Sequence, residues 1–146
     1  MMFLDASVIV AVLAGEEDAG YHLAKIEMSK TPIFYSSLAV FEAVISLARI
    51  IAISHNGDQA PTPPDIIELA QESVAQFLEA IDGQEMPISG SLHSAAIEAA
   101  RNYGRFVGHP ARLNFGDCFA YACAKSRHLP LLFKGDDFSR TDIDVA

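Results

Sequence analysis

Four acidic positions in this chain are placed where they could do chemistry together. Asp5 ends the short apolar run Phe3-Leu4, and Glu42 lies inside the apolar stretch LAVFEAVISLARIIAISH. Asp117 opens the helical run that follows Asn114, and Asp136 and Asp137 follow the apolar triplet Leu131-Leu132-Phe133. Each has an ordinary explanation. Asp5 can cap a helix, Asp117 can complement a helix dipole, and Asp136 and Asp137 can be turn residues. Glu42 can pair with Arg49, which with Ser46 falls on the same helical face. Taken together the ordinary readings are less comfortable, because several carboxylates in one pocket cannot all stay ionised without a cation. Hard oxygen ligands in that number suit Mg²⁺ or Mn²⁺ rather than zinc. Such ions suit phosphodiester cleavage, with no histidine or cysteine required.

The elements that must position these acids are short strands alternating with longer helices. Phe3-Leu4 predicts a first strand, followed by a helix from Ser7 to Leu13 that Gly15 ends. Glu16, Glu17 and Asp18 then read as the solvated first turn of a second helix, reaching Lys30. Ile33-Phe34-Tyr35 predicts a second strand. The third helix, Leu38 to His55, is apolar on nearly every side and is expected to be deeply packed. A proline-rich loop, Asp58 to Pro64, leads into an amphipathic fourth helix ending near Ile81. Met86-Pro87-Ile88 predicts a minimal third strand, and Ser91 to Val107 a fifth helix. The last helix runs from Phe115 to His128, where Leu129-Pro130 stops it. Leu131-Leu132-Phe133 predicts a strand buried on both faces. Such alternation implies an α/β fold with a mostly parallel sheet and helices on both faces. Strand ends in a parallel sheet share one rim, so Asp5 and Asp136 are expected to be neighbours.

The chain has 146 residues, of which 51% are hydrophobic, and this suits one domain with a real core. No internal repeat or low-complexity tract divides it. No apolar run is read as a membrane span, and Asp5 within the apolar start argues against a secretory leader. Cys118 and Cys123, five apart on one helix, cannot pair locally and read as core packing in a reducing cytoplasm. The formal net charge of −9 argues against nonspecific nucleic-acid binding and for a basic partner or a metal-loaded acidic site.

Asp5 in FLDASVIVAVL, Glu42 in SLAVFEAVISL and the block LNFGDCFAYACAKSRHLPLLFKGDDFSRTDI resemble the PIN-domain family. The last block is particularly similar to VapC-type toxins of bacterial toxin–antitoxin pairs. The resemblance spans the whole chain, residues 1–146. It implies a three-layer α/β/α fold with a sheet of four or five strands. It also implies an Mg²⁺- or Mn²⁺-dependent endoribonuclease, usually dimeric, neutralised by a small cognate antitoxin. Asp5, Glu42 and Asp117 carry over as metal-binding acids, and Ser7 as the small polar residue that supports the first. The family commonly places its last acid where this chain has Gly135, so Asp136 or Asp137 takes that role; Asp136 is favoured as nearer the strand end. Ser7, Arg112 and Lys134 are candidate RNA contacts, the two cations through phosphates. A mean hydropathy of +0.23 in so small a chain adds to the expectation of a homodimer. The acid-lined groove predicts an antitoxin segment rich in Arg or Lys. Rival readings are a PIN ribonuclease of RNA maturation and a noncatalytic PIN-like binding module. A phosphotransfer or receiver domain lacks its required set of Asp, Thr or Ser, and Lys.

Overall fold

The computed structural model describes residues 1–146. Four parallel strands form one sheet in the order β3-β2-β1-β4. They are β1 (Met2–Leu4), β2 (Ile33–Ser36), β3 (Gln84–Met86) and β4 (Leu131–Leu132). Six α-helices flank them: α1 (Ala6–Leu13), α2 (Ala19–Met28), α3 (Ser37–Asn56), α4 (Pro64–Ala80), α5 (Leu92–Tyr103) and α6 (Phe115–Ser126). The central strand β1 pairs with β2 through Met2–Ile33 and Phe3–Phe34, and with β4 through Phe3–Leu131 and Leu4–Leu132. The first and last strands are therefore neighbours, as the shared rim of acids requires.

Alternation along β1 builds the layers. Met2 and Leu4 face one way and pack with Val8 of α1, Ile26 of α2 and Leu132. Phe3 faces the other way, into a cluster with Ala96 and Ala99 of α5 and Cys118, Ala122 and Cys123 of α6. A third cluster joins Ile9 of α1, Ala43, Leu47 and Ala48 of α3, and Ile66, Ala70 and Val74 of α4. The two cysteines are buried and unpaired. Fold class and the parallel topology agree with the sequence pattern.

Several local expectations are corrected. β3 lies at Gln84–Met86, earlier than expected, because Pro87 has no N–H to continue the ladder. The fifth helix stops at Tyr103, and a 3-10 turn covers Arg105–Val107. Gly104 leaves the helix in an extended conformation, at φ −72° and ψ 149°, so close to the helix's last turn that a Cβ would run into the Ala100 carbonyl. The second helix begins at Ala19, which leaves Glu16 outside it. The largest difference concerns α3. It is 20 residues long with a mean hydropathy of 1.9, enough by length and composition to cross a membrane, although the sequence pattern predicts no such run. Nor is it packed all round. One face, Ala43, Leu47 and Ala48, meets α1 and α4, while Phe41, Ile45, Ile50 and Ile53 are exposed.

Candidate metal centre

The carboxyl rim of the sheet carries the site. Asp5 follows β1 directly and is the N-cap of α1. Its Oδ2 accepts hydrogen bonds from the Ser7 amide (3.1 Å) and the Ser7 hydroxyl (2.5 Å). The same hydroxyl accepts the Lys134 amide at 3.0 Å, just beyond β4. One serine thus links the end of β1, the start of α1 and the exit of β4. Because its only hydroxyl hydrogen is committed to Asp5, Ser7 is a support for that acid rather than a free donor to a substrate.

Glu42 lies in the second turn of α3, which Ser36 caps by accepting the Ala39 amide at 3.0 Å. The Glu42–Arg49 pair does not form. Arg49 donates instead to the carbonyls of Asp58 (2.6 Å) and Ala60 (2.7 Å), pinning the proline-rich loop. Glu42 turns toward α6, where a Cβ at Gly116 would collide with its carboxylate. Gly116 is thus the residue that lets α3 bring this acid to the rim. Asp117 belongs to a capping box: its Oδ2 accepts the Asn114 amide (3.0 Å) and Asn114 Oδ1 accepts the Asp117 amide (2.9 Å).

These three acids, from three elements, line one cavity of about 470 Å³ with Ser7, Ser46, Asn114, Glu16 and Lys134. Asp136 and Asp137 are outside its lining. Of that pair it is Asp137 whose charge acts on Asp5 and Asp117. Asp136, favoured from its nearness to the strand end, is not among the charges acting on them; Gly135, at φ 95°, turns the chain just ahead of the pair.

The residue pattern does not reveal Glu16 as part of the site. Gly15, in the left-handed region at φ 67°, reverses the chain after α1, and the Glu16 amide bonds back to the Ala11 carbonyl at 3.0 Å. That reversal carries the Glu16 carboxylate to the cavity, where it pairs with Lys134. Lys134 also approaches Asp18 at 3.3 Å, and Asp18 holds the Nε2 of buried His22 at 3.0 Å. The ammonium expected to be a phosphate contact is therefore already partnered by acids. Arg112 is not in the lining of this cavity; it lines a neighbouring one with Arg105 and His109.

The electrostatics reflect crowding of like charges. Burial is the main force raising the Asp5 carboxyl, opposed by its bonds to Ser7 and to the Ala6 amide. Burial, then the charges of Asp5 and Asp117, pushes Glu42 up to about 7. Burial also pushes Asp117 up to about 6, against the Asn114 amide and with help from Asp5 and Asp137. No three acidic side chains close on one point as a preformed cage. Mg²⁺ does not require one, since it keeps several waters and binds through one or two carboxylates. Hard, mutually repelling oxygens around an open cavity fit such an ion.

A raised carboxyl pKa has a definite sign in stability. The folded state holds the proton more tightly, so the associated stability is full below the unfolded pKa and is lost as pH rises through the folded one. For Glu42 the window runs from about 4.5 to about 7. In EDTA the melting temperature should fall across it. Glu42→Gln should flatten that fall, and Gly116→Ala should do the same by forcing the carboxylate outward into water. Three identical pH profiles would show that Glu42 is not held among the other acids.

Comparison with known proteins places this geometry in a family. The family model described as PIN domain matches residues 2–144. A VapC ribonuclease of Rhizobium meliloti is 41% identical over 145 residues, covering 98% of this chain and 99% of that relative. Among solved structures, VapC20 of Mycobacterium tuberculosis, described as a Sarcin-Ricin loop cleaving toxin, superposes with a TM-score of 0.68 at 15% identity. The match covers 100% of this chain and 98% of that one. A toxin-antitoxin complex from Klebsiella pneumoniae gives a TM-score of 0.61 at 15% identity, over 100% and 97% of the two chains. This chain belongs to the PIN-domain family, alongside the VapC ribonucleases.

Proposed function

We infer that this protein is a divalent-metal-dependent endoribonuclease, the toxin of a toxin–antitoxin pair. One observation carries the reading: Asp5, Glu42 and Asp117 come from three separate elements to one cavity at the carboxyl rim, where Glu42 and Asp117 resist ionisation. The full-length likeness to a named VapC ribonuclease supports the RNA substrate and the toxin role.

Asp5, Glu42 and Asp117 would hold the ion, Mg²⁺ or Mn²⁺, directly or through the waters it keeps, with Asp137 as the outer fourth acid. Bound there, the ion supplies water activation and stabilises charge that develops on a phosphodiester. The chain's own contribution is placement. Ser7 fixes the orientation of Asp5 through two hydrogen bonds, and the capping box fixes Asp117 on α6. Lys134 neutralises Glu16 and so limits the negative charge that an incoming phosphate must face.

Asp117→Asn tests the reading. Asparagine can still accept the Asn114 amide, so the helix start survives. In EDTA its stability should equal or exceed that of the wild type, since one of several repelling charges is gone. With Mg²⁺ the wild type should gain melting temperature by mass action, and the variant much less. RNA cleavage should fall by orders of magnitude. A variant less stable in EDTA that still cuts RNA normally would show Asp117 to be only a cap.

Two partners belong to the proposal. The acid-lined cavity and the −9 charge favour an antitoxin segment that inserts an Arg or Lys near the carboxylates. An Arg-rich peptide of that kind should compete with RNA, and one that binds while cleavage continues would exclude the blocking mechanism. The exposed apolar side chains of α3, with Ile97, Phe106 and Phe115, favour a second copy of this chain as cover. Light scattering at micromolar concentration should give a dimer; a monomer at that concentration and above would remove the claim.

A further inference from the structure

The segment between α5 and α6 makes a second cavity, of different chemistry. It encloses about 470 Å³ and is lined by Arg105, Gly108, His109, Pro110 and Arg112. The chain has only ten Lys and Arg against nineteen Asp and Glu, and here two arginines and a histidine line one cavity with no acid among them. The loop is braced by its own backbone. Leu113 donates to the Tyr103 carbonyl (3.1 Å), Arg105 to Leu113 (3.0 Å), His109 to Gly104 (3.2 Å) and Arg112 to His109 (2.9 Å). The imidazole of His109 is fixed as well. It stands edge-on to the Tyr103 ring, with centroids 5.3 Å apart, and its Nδ1 accepts the Ala111 amide at 3.0 Å. An accepting Nδ1 leaves the ring hydrogen on Nε2, so His109 has a donor to offer.

Neither arginine is spent inside the fold. The ion pairs of the chain are His22–Asp18, Lys125–Asp142 and those of Lys134 with Glu16 and Asp18. Both guanidiniums are exposed and keep their full donor sets. Arg112 also holds a left-handed backbone, at φ 52°, which is uncommon for a side chain of this size. Donors without acceptors, in a braced concavity, suit an oxyanion that arginine can bind in a bidentate manner. The loop leads straight into the metal centre. Asn114, which lines the acidic cavity, is two residues after Arg112, so their Cα atoms are at most about 7.6 Å apart.

We propose that Arg105, His109 and Arg112 form a binding site for a backbone phosphate of the RNA strand, beside the phosphodiester that the acidic cavity receives. The inference rests on the nuclease reading above and adds the anchor that the acidic cavity itself does not provide. Its one cation, Lys134, is paired with Glu16 and Asp18, while a polyanion needs free cations close to where it is cut.

The test uses RNA binding in the full-length protein carrying Asp117→Asn, so that a short single strand binds without being cut. Arg105→Gln and Arg112→Asn are added singly and together; asparagine tolerates the left-handed backbone at 112. Arg101→Gln, an exposed arginine on α5 outside the cavity, controls for net charge. Melting temperatures report folding. The double variant should weaken RNA binding by about tenfold or more. It should also reduce the slope of log affinity against log salt by about 0.7 for each phosphate that is no longer neutralised. The control should change neither by more than about twofold. In the otherwise wild-type enzyme the double variant should raise KM, with kcat kept within about threefold. A folded double variant with wild-type affinity and salt slope overturns the phosphate site. So does one that keeps RNA binding but loses a cognate antitoxin, which would assign the cavity to a protein carboxylate. Wild-type protein that cuts no RNA with either Mg²⁺ or Mn²⁺ overturns the nuclease reading instead.

Discussion

Repulsion among carboxylates held in one cavity is the constraint around which the rest of the structure is arranged. Asp5, Glu42 and Asp117 would separate if left to themselves, and each is restrained by a different device. Asp5 is buried and bonded to Ser7, Asp117 is locked in a capping box, and Glu42 is carried in by a helix whose approach depends on the missing side chain at Gly116. The cost of gathering them is met by packing elsewhere. Val8 and Ile9 of α1, and Ala43 and Leu47 of α3, are buried within a turn or so of the acids they carry. The hydrophobic core and the polar rim are two sides of the same helices.

The acids themselves are legible in the sequence because their chemistry conflicts with their surroundings. A Glu in LAVFEAVISL has few innocent explanations, and the innocent one, Arg49, is engaged with the loop at Asp58 and Ala60. The fold class is legible through the alternation of short apolar runs and longer helices. What the sequence hides is direction. In α3 apolar residues occur on every face, so periodicity carries no information about which side is covered. At Gly15 and Gly135 a left-handed backbone redirects the chain by an amount that no pattern of residue types encodes. Residue types alone therefore assign Glu16 to a helix start and leave Asp136 and Asp137 hard to tell apart. Pro87 shifts β3 for a reason that is readable in advance: it has no amide hydrogen to give to the sheet.

Charge in this molecule is zoned rather than averaged. A net −9 read as a single number disfavours a polyanionic ligand. Resolved in space, the acids of the rim form one zone that a cation can neutralise, and Lys134 is consumed within it. The loop from Arg105 to Arg112 is another zone, positive and rigid, a short step along the chain. Screening limits the reach of exposed charges to about 10 Å at ordinary salt, so local zones govern contacts more than the total does.

The central place of β1 has a consequence for how the molecule comes into being. Its amides at Phe3 and Asp5 donate to the carbonyls of Pro130 (2.9 Å) and Leu132 (3.0 Å), and the Ala146 amide donates to Leu131 (3.0 Å). The strand made first waits for the strand made last. Contacts of such sequence separation form slowly, after nearly the whole chain has been brought together. A nascent chain still emerging from the ribosome has Asp5 and Glu42, but it has no β4 to fix the rim and no Lys134 amide to hold Ser7. The cluster of acids at the rim is thus assembled late, and its supports are complete only once β4 has docked beside β1.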